Sequence, residues 1–244
     1  MIGTRGGSFG GFPQGIVLFI LAFLALQLAL GRELGIGLEL RLAAAGDPVP
    51  LLALVFAFIV AVTFHEFMHA YVAERLGDAT ARLLGRLTLN PMAHLDLIGA
   101  AFLLLFRFGW GKPVPVNYSR LRGGRRGGAA VAFAGPATNF IIAAIFALPI
   151  RFGSAGLLGP DYATILAYIV QFNVLIGLFN LIPIPPLDGS NIVYAFVPPR
   201  VAWNWGQFQQ VGPFLLLMLF WAIPYGGRLL IAVTDSAVRL LVGA

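Results

Sequence analysis

Apolar residues in this chain gather into long runs, and polar residues crowd into the shorter stretches between them. Five runs, 14–31, 50–76, 129–150, 163–182 and 212–232, predict helices long enough to cross the ~30 Å hydrocarbon core of a bilayer. A sixth, "IGAAFLLLFRFGW" at 98–110, carries Arg107 and covers only roughly 20 Å at helical rise. It is expected to enter the membrane partway as a re-entrant or partial element, although the pattern alone leaves a full crossing open. Two stretches read as extended: "RLLGRLTLN" at 82–90 alternates loosely, and "KPVPVN" at 112–117 holds prolines that cannot continue a helix. The expected fold is all-α, a polytopic bundle of about five to six transmembrane helices with a small membrane-associated β element between 82 and 117.

Composition supports the bilayer. Of 244 residues, 59% are hydrophobic and 11% charged, and the mean hydropathy is +0.88. A soluble domain has about 45–50% apolar and about 25% charged residues. A single integral membrane domain over 1–244 is expected, with its core at 50–200, a flexible leader at 1–13 and an uncleaved first helix. There are no cysteines, which excludes disulfides and thiolate metal sites.

The net charge of +6 comes almost wholly from arginine, Lys112 being the sole lysine. In an apolar chain this argues against a nucleic-acid partner and for loop arginines that set membrane orientation. With the N-terminus cytoplasmic and 98–110 returning to its own side, the cluster "RLRGGRR" at 120–126 falls on the cytoplasmic face. Arginine-rich sequence with abundant alanine and glycine fits a prokaryotic cell membrane.

The polar exceptions carry the chemistry. "HEFMH" at 65–69 lies inside an apolar run, and two of the chain's three histidines fall in it. Residues four apart on a helix point the same way about one turn apart. His65 and His69 can therefore meet one zinc ion, while Glu66 lies beside the first ligand in the place of a general base. Ionisable groups inside a membrane are costly and mark function by default.

A catalytic zinc takes three protein ligands. Asp188, in "NLIPIPPLDGS" at 180–190, is the only acid between Asp161 and Asp235. Pro183, Pro185 and Pro186 break the helix just before it, so its side chain can turn inward. The alternative reading is an ordinary turn aspartate before Gly189. Depth permits the meeting: His65 lies fourteen residues past Leu51 (65 − 51), roughly 21 Å along its helix, near the cytoplasmic face where the Asp188 helix also ends.

H-E-x-x-H in one transmembrane helix, with N-x-x-P-x-P-x-x-D-G closing another, resembles the site-2 protease family of intramembrane zinc metalloproteases. "GRLTLNPMAHLDLIG" at 85–99, "GKPVPVN" at 111–117 and "AGPATN" at 134–139 are similar to its smaller prokaryotic branch. The resemblance covers about residues 50–200. It implies one Zn2+ per chain held by His65, His69 and Asp188, Glu66 as catalytic base, and regulated intramembrane proteolysis of single-span or signal-peptide-like membrane substrates. Those substrates must unwind, and the β element is expected to pair with the freed backbone. The interval 111–128 is too short for a PDZ domain, and twelve residues after 232 are too few for a CBS pair.

Three further residues are weaker candidates. His94 is either a loop histidine or a group that supports the zinc site or contacts substrate. Asn139 and Asn180 are placed either to hydrogen-bond substrate backbone or oxyanion, or to join helices. Asp96 is expected to cap the partial element. A prenyl-protein type of protease fits poorly, because its third ligand is a glutamate and the only one after the motif is Glu74, on another helical face. A non-hydrolytic metal-binding membrane protein, a transporter or an inactive relative, is the alternative; a transporter would spread polar groups along a path instead of gathering them. The sequence is silent on oligomeric state.

Overall fold

The structure, a computed structural model, describes residues 42–106, 109–202, 205–219 and 224–244. Three helices are long and apolar enough to cross a membrane among the described residues: α1 (Val49–Arg75), α4 (Gly124–Arg151) and α5 (Pro160–Asn180). They pack on one another and form the core. Leu54, Phe58 and Val62 of α1 meet Ile142 of α4 and Ile169 and Phe172 of α5. In lipid, helices associate through close packing more than through apolar burial, and small residues let backbones approach. The chain uses this directly: Ala53, Ala57 and Ala61 follow one another at four-residue spacing on α1, all buried. The same row continues into His65 and His69, so the closely packed face of α1 becomes the face that carries the imidazoles.

α1 ends where Gly77 takes a φ of 107°, with its N–H on the Glu74 carbonyl and the Asp78 N–H on the Ala73 carbonyl. This is a Schellman stop, which needs a residue free to adopt positive φ. A short helix, α2 (Thr80–Leu83), follows. Position 82 is thus helical, and no strand forms over 82–117 among the described residues. The expected β element reduces to one antiparallel bridge, Leu95 with Gly111. Residues 112–117 form neither helix nor strand, and Pro113 and Pro115 remove alternate donors, so no ladder can propagate.

The short apolar segment forms α3 (Leu97–Phe106), ten residues long. Asp96 caps it, its side chain accepting from the Gly99 N–H at 2.8 Å. Gly99 lies against the Trp110 carbonyl so closely that no Cβ would fit, and Leu95 bridges Gly111. Leu95 and Gly99 at one end of the segment thus lie beside Trp110 and Gly111 at the other, while Leu103 packs into the main core.

After α5, the chain turns through 181–187 into α6 (Asp188–Tyr194), followed by α7 (Pro199–Ala202), α8 (Trp205–Leu217) and α9 (Pro224–Val242). The expected span 212–232 overlaps α8 and α9 and includes residues outside those described. α9 carries Arg228, Asp235 and Arg239, too much charge for a plain apolar crossing. It packs through Ala237, Val238 and Leu241 against Ala143, Ala147, Val170 and Val174, and Arg151 donates to its terminal carbonyls at Leu240 and Leu241. The expected span 14–31 and the leader 1–13 lie outside the described residues.

Candidate active site

α1 delivers two imidazoles and α6 delivers a carboxylate to one point. The Nε2 atoms of His65 and His69 are 3.0 Å apart, and Asp188 Oδ2 lies 3.1 Å from the first and 3.2 Å from the second. The rings stand nearly perpendicular, with an interplanar angle of 87°. Asp188 arrives there because α5 stops at Asn180 and the proline-rich turn reverses the chain at once. Gly189 lies so near the Leu181 and Ile182 carbonyls that any side chain would collide with them. The aspartate–glycine pair is thus a requirement of the reversal as well as of the chemistry.

The outer nitrogens settle which atoms face the centre. His65 Nδ1 donates to Asn139 Oδ1 at 2.6 Å, and His69 Nδ1 donates to the Val131 carbonyl at 2.7 Å. Asn139 cannot present its amide to His65 instead, because its Nδ2 already donates to the Ala61 carbonyl and to Asn173 Oδ1. With the Nδ1 atoms engaged outward, both Nε2 atoms turn toward each other and toward a carboxylate oxygen. Three such ligand atoms within hydrogen-bond range of one another are an arrangement that a shared metal cation would satisfy. Two imidazoles and one carboxylate are also the donor set of known catalytic zinc sites. The residues fit the metal.

α4 makes room for it. Gly135 faces the imidazoles so closely that a Cβ there would lie 2.5 Å from His69 Nε2 and 2.7 Å from His65 Cε1. Pro136 follows, without an N–H and with a ring that crowds the turn before it, and Val131 on the preceding turn supplies the carbonyl for His69. Arg125, in the first turn of α4, donates to the Tyr194 and Val197 carbonyls at 3.3 and 2.7 Å and lies over the Tyr194 ring. It therefore grips the far end of the short helix whose first residue is Asp188.

Glu66 lies on the side of α1 that meets residues 111–117. Its Oε2 accepts the Val114 N–H at 2.8 Å, and its carboxylate is within electrostatic range of His69. Arg86 donates to the Lys112 carbonyl at 2.7 Å on the same segment. Burial draws its guanidinium below the usual range, against the opposing pull of Glu66. Tyr118 lies against Gly128, where a Cβ would come within 3.0 Å of its ring; partial burial and the Asp188 charge both push its phenol up, so it keeps its proton.

The weaker candidates separate. Asn139, fully buried, orients His65 and is backed by Asn173, which sequence reasoning did not single out. His94 does not join the three converging groups: it is fully buried, its Nε2 donates to the Thr88 carbonyl at 2.7 Å, and its own carbonyl accepts the Lys112 N–H. Asn180 spends its amide on the Ile176 carbonyl of its own helix. Gly135 was the other position missed, though it stands four residues before Asn139, on the same face of α4.

Known proteins bear on this geometry. The chain is 40% identical over 183 residues to a Bacillus subtilis protein named "Putative zinc metalloprotease YwhC", covering 72% of this chain and 83% of that one. The chain belongs to the site-2 protease family. A Mycobacterium tuberculosis protein (strain H37Rv) of the same printed description, Rip2, is 29% identical over 224 residues, 88% of this chain and 83% of its own. Zinc metalloprotease MJ0392 of Methanocaldococcus jannaschii is 26% identical over 141 residues, 58% of this chain and 33% of that protein. No family model and no solved structure matches. Zinc is accordingly the cofactor of this site-2 protease relative, and His65, His69 and Asp188 make a site that fits it.

Proposed function

We propose that the chain is an intramembrane zinc metallopeptidase that hydrolyses peptide bonds in or near the transmembrane segments of membrane-anchored proteins, with His65, His69 and Asp188 as the metal ligands. The observation that carries this is the meeting of Asp188 Oδ2 with both Nε2 atoms at 3.1 and 3.2 Å. When bound, zinc supplies Lewis acidity that activates a water and polarises a carbonyl. Glu66 takes the proton of the attacking water and returns it to the departing amine. Asn139 and the Val131 carbonyl hold the two rings with their Nε2 atoms inward, and Gly135 keeps the approach clear.

Substrate class follows from where the site lies. The imidazoles are on a helix of spanning length, about two to three turns from its Arg75 end, so single-span and signal-peptide-like segments are the polypeptides that reach it. The returning segment at 97–111 keeps the arginines at 120–126 on the same face as Arg75, as the positive-inside rule requires of a cytoplasmic surface. That orientation, in a prokaryotic cell membrane, is the one we adopt.

The test uses detergent-purified protein, assayed for bound zinc and for cleavage of a panel of single-span peptides beside Glu66→Gln. Wild type should hold one zinc and cleave, while the variant holds zinc without cleaving. A variant that cleaves like wild type overturns Glu66 as base. A wild type that binds zinc and moves it across vesicles, with no cleavage of any peptide, favours the transporter reading.

A further inference from the structure

Between Lys112 and Asn117 the chain forms neither helix nor strand and two of its residues are prolines, so amide donors are scarce, and three of them are engaged. Lys112 N–H goes to the His94 carbonyl at 2.7 Å, Val114 N–H to Glu66 Oε2 at 2.8 Å, and Asn117 N–H to Asp78 Oδ2 at 2.6 Å. Lys112 and Val114 each precede a proline, which favours β or polyproline backbone at both positions. The segment is therefore a strap, pinned at both ends, whose middle amide rests on the carboxylate beside the metal ligands. Gly111 leads into it against Val62 and the His94 carbonyl, at a place with no room for a Cβ.

Arg86 is the side chain that fastens this strap from the other direction. Its Nη2 holds the Lys112 carbonyl at 2.7 Å, its Nε is buried with no partner, and its charge is felt at Glu66. One arginine thus touches the strap two residues from the amide that touches the base.

We propose that the Val114 amide holds Glu66 in its working orientation and that Arg86 is the positioning residue that keeps the amide there. The inference rests on Glu66 being the base. A glutamate carboxylate turns broadly about its last torsion; fixing Oε2 on Val114 leaves Oε1 as the oxygen that receives the proton. Loss of the amide frees that rotation without touching a metal ligand. It should therefore lower turnover and leave zinc and substrate binding alone.

Val114 stands between Pro113 and Pro115, so a proline there keeps the extended course and removes only the N–H. With the peptide that wild type cleaves fastest, Val114→Pro should lower kcat about ten- to a hundredfold, within the range that a general base contributes. KM and zinc stoichiometry should be unchanged, and Val114→Ala, which keeps the amide, should stay near wild type. Arg86→Ala should fall in kcat in the same way, and Arg86→Lys, which restores a donor, should recover part of it. Equal kcat for the proline and alanine variants overturns the proposal, as does a change confined to KM or to zinc content. If Val114→Pro does not fold, the Arg86 pair decides: a kcat loss rescued by lysine supports the strap, and an unrescued loss of zinc overturns it. Glu66→Gln separates the two levels, since an inactive Glu66→Gln beside an unaffected Val114→Pro sinks the strap and leaves the protease reading standing.

Discussion

His65 points its Nδ1 at the side-chain oxygen of Asn139, 2.6 Å away, and Asn139 is held in turn by Asn173 at 3.0 Å. The two asparagines tie α1, α4 and α5 together at the depth of the site, so the packing of the bundle and the tautomer of a ligand are set by the same hydrogen bonds. Groups that orient a metal-binding histidine typically govern affinity by about 10–100-fold. Asn139→Ala should weaken zinc binding by that order, measured by competition with a chromophoric chelator. Asn173→Ala should weaken it less, since the His65–Asn139 bond survives it. Unchanged affinity in Asn139→Ala would assign the residue to helix packing alone.

Gly135→Ala tests how tightly the bundle encloses the centre. Alanine favours a helix interior over glycine by roughly 1 kcal/mol, so the fold should tolerate the change. The new methyl, however, would lie 2.5 Å from His69 Nε2. Helical content by circular dichroism should be kept, while zinc content and cleavage fall together.

Arg125 acts on Asp188 through a helix. Its guanidinium caps the C-terminal end of α6, where a cation is favoured by the helix dipole. Arg125→Ala should reduce zinc affinity several-fold by loosening α6. Arg125→Lys should restore only part, because it keeps the charge but loses the planar guanidinium that lies over the Tyr194 ring.

Outside the spanning helices, Asp78 supplies a pH signature. Its buried carboxylate accepts from the Thr80 hydroxyl and N–H and from the Asn117 N–H. Burial alone would raise its pKa, but these donors and Arg120 outweigh it, and the carboxyl is held below its ordinary value of 3.8. A depressed carboxyl contributes stability above its unfolded pKa and loses it as pH falls through the folded one. The thermal-stability advantage of wild type over Asp78→Asn should therefore be full at neutral pH and shrink only below about pH 4. An advantage that grows on acidification would contradict the assignment.

The convergence of His65, His69 and Asp188 was legible because its parts have chemical rarity. Imidazoles at helical spacing inside an apolar run, and a lone acid after a triple-proline break, leave few other uses. The shortness of the apolar segment at 98–110 was legible too, and α3 holds only ten residues. What could not be read works through backbone or through the absence of atoms. Gly135 matters for a missing Cβ, Val131 for a carbonyl and Val114 for an amide, and any residue type carries the last two. The β element was over-read at 82–117 because extended backbone implies no partner, and the prolines that suggested a strand also deny it a ladder.

The central claim is that one zinc is held by two imidazoles and the Asp188 carboxylate together. X-ray absorption at the zinc edge of purified protein tests it most directly. Wild type should show two imidazole nitrogens at ~2.0–2.1 Å with oxygen completing a four-coordinate shell, and Asp188→Ala should lose zinc or lose that carboxylate oxygen with both imidazoles kept. Identical zinc content and identical scattering shells in wild type and Asp188→Ala would contradict it.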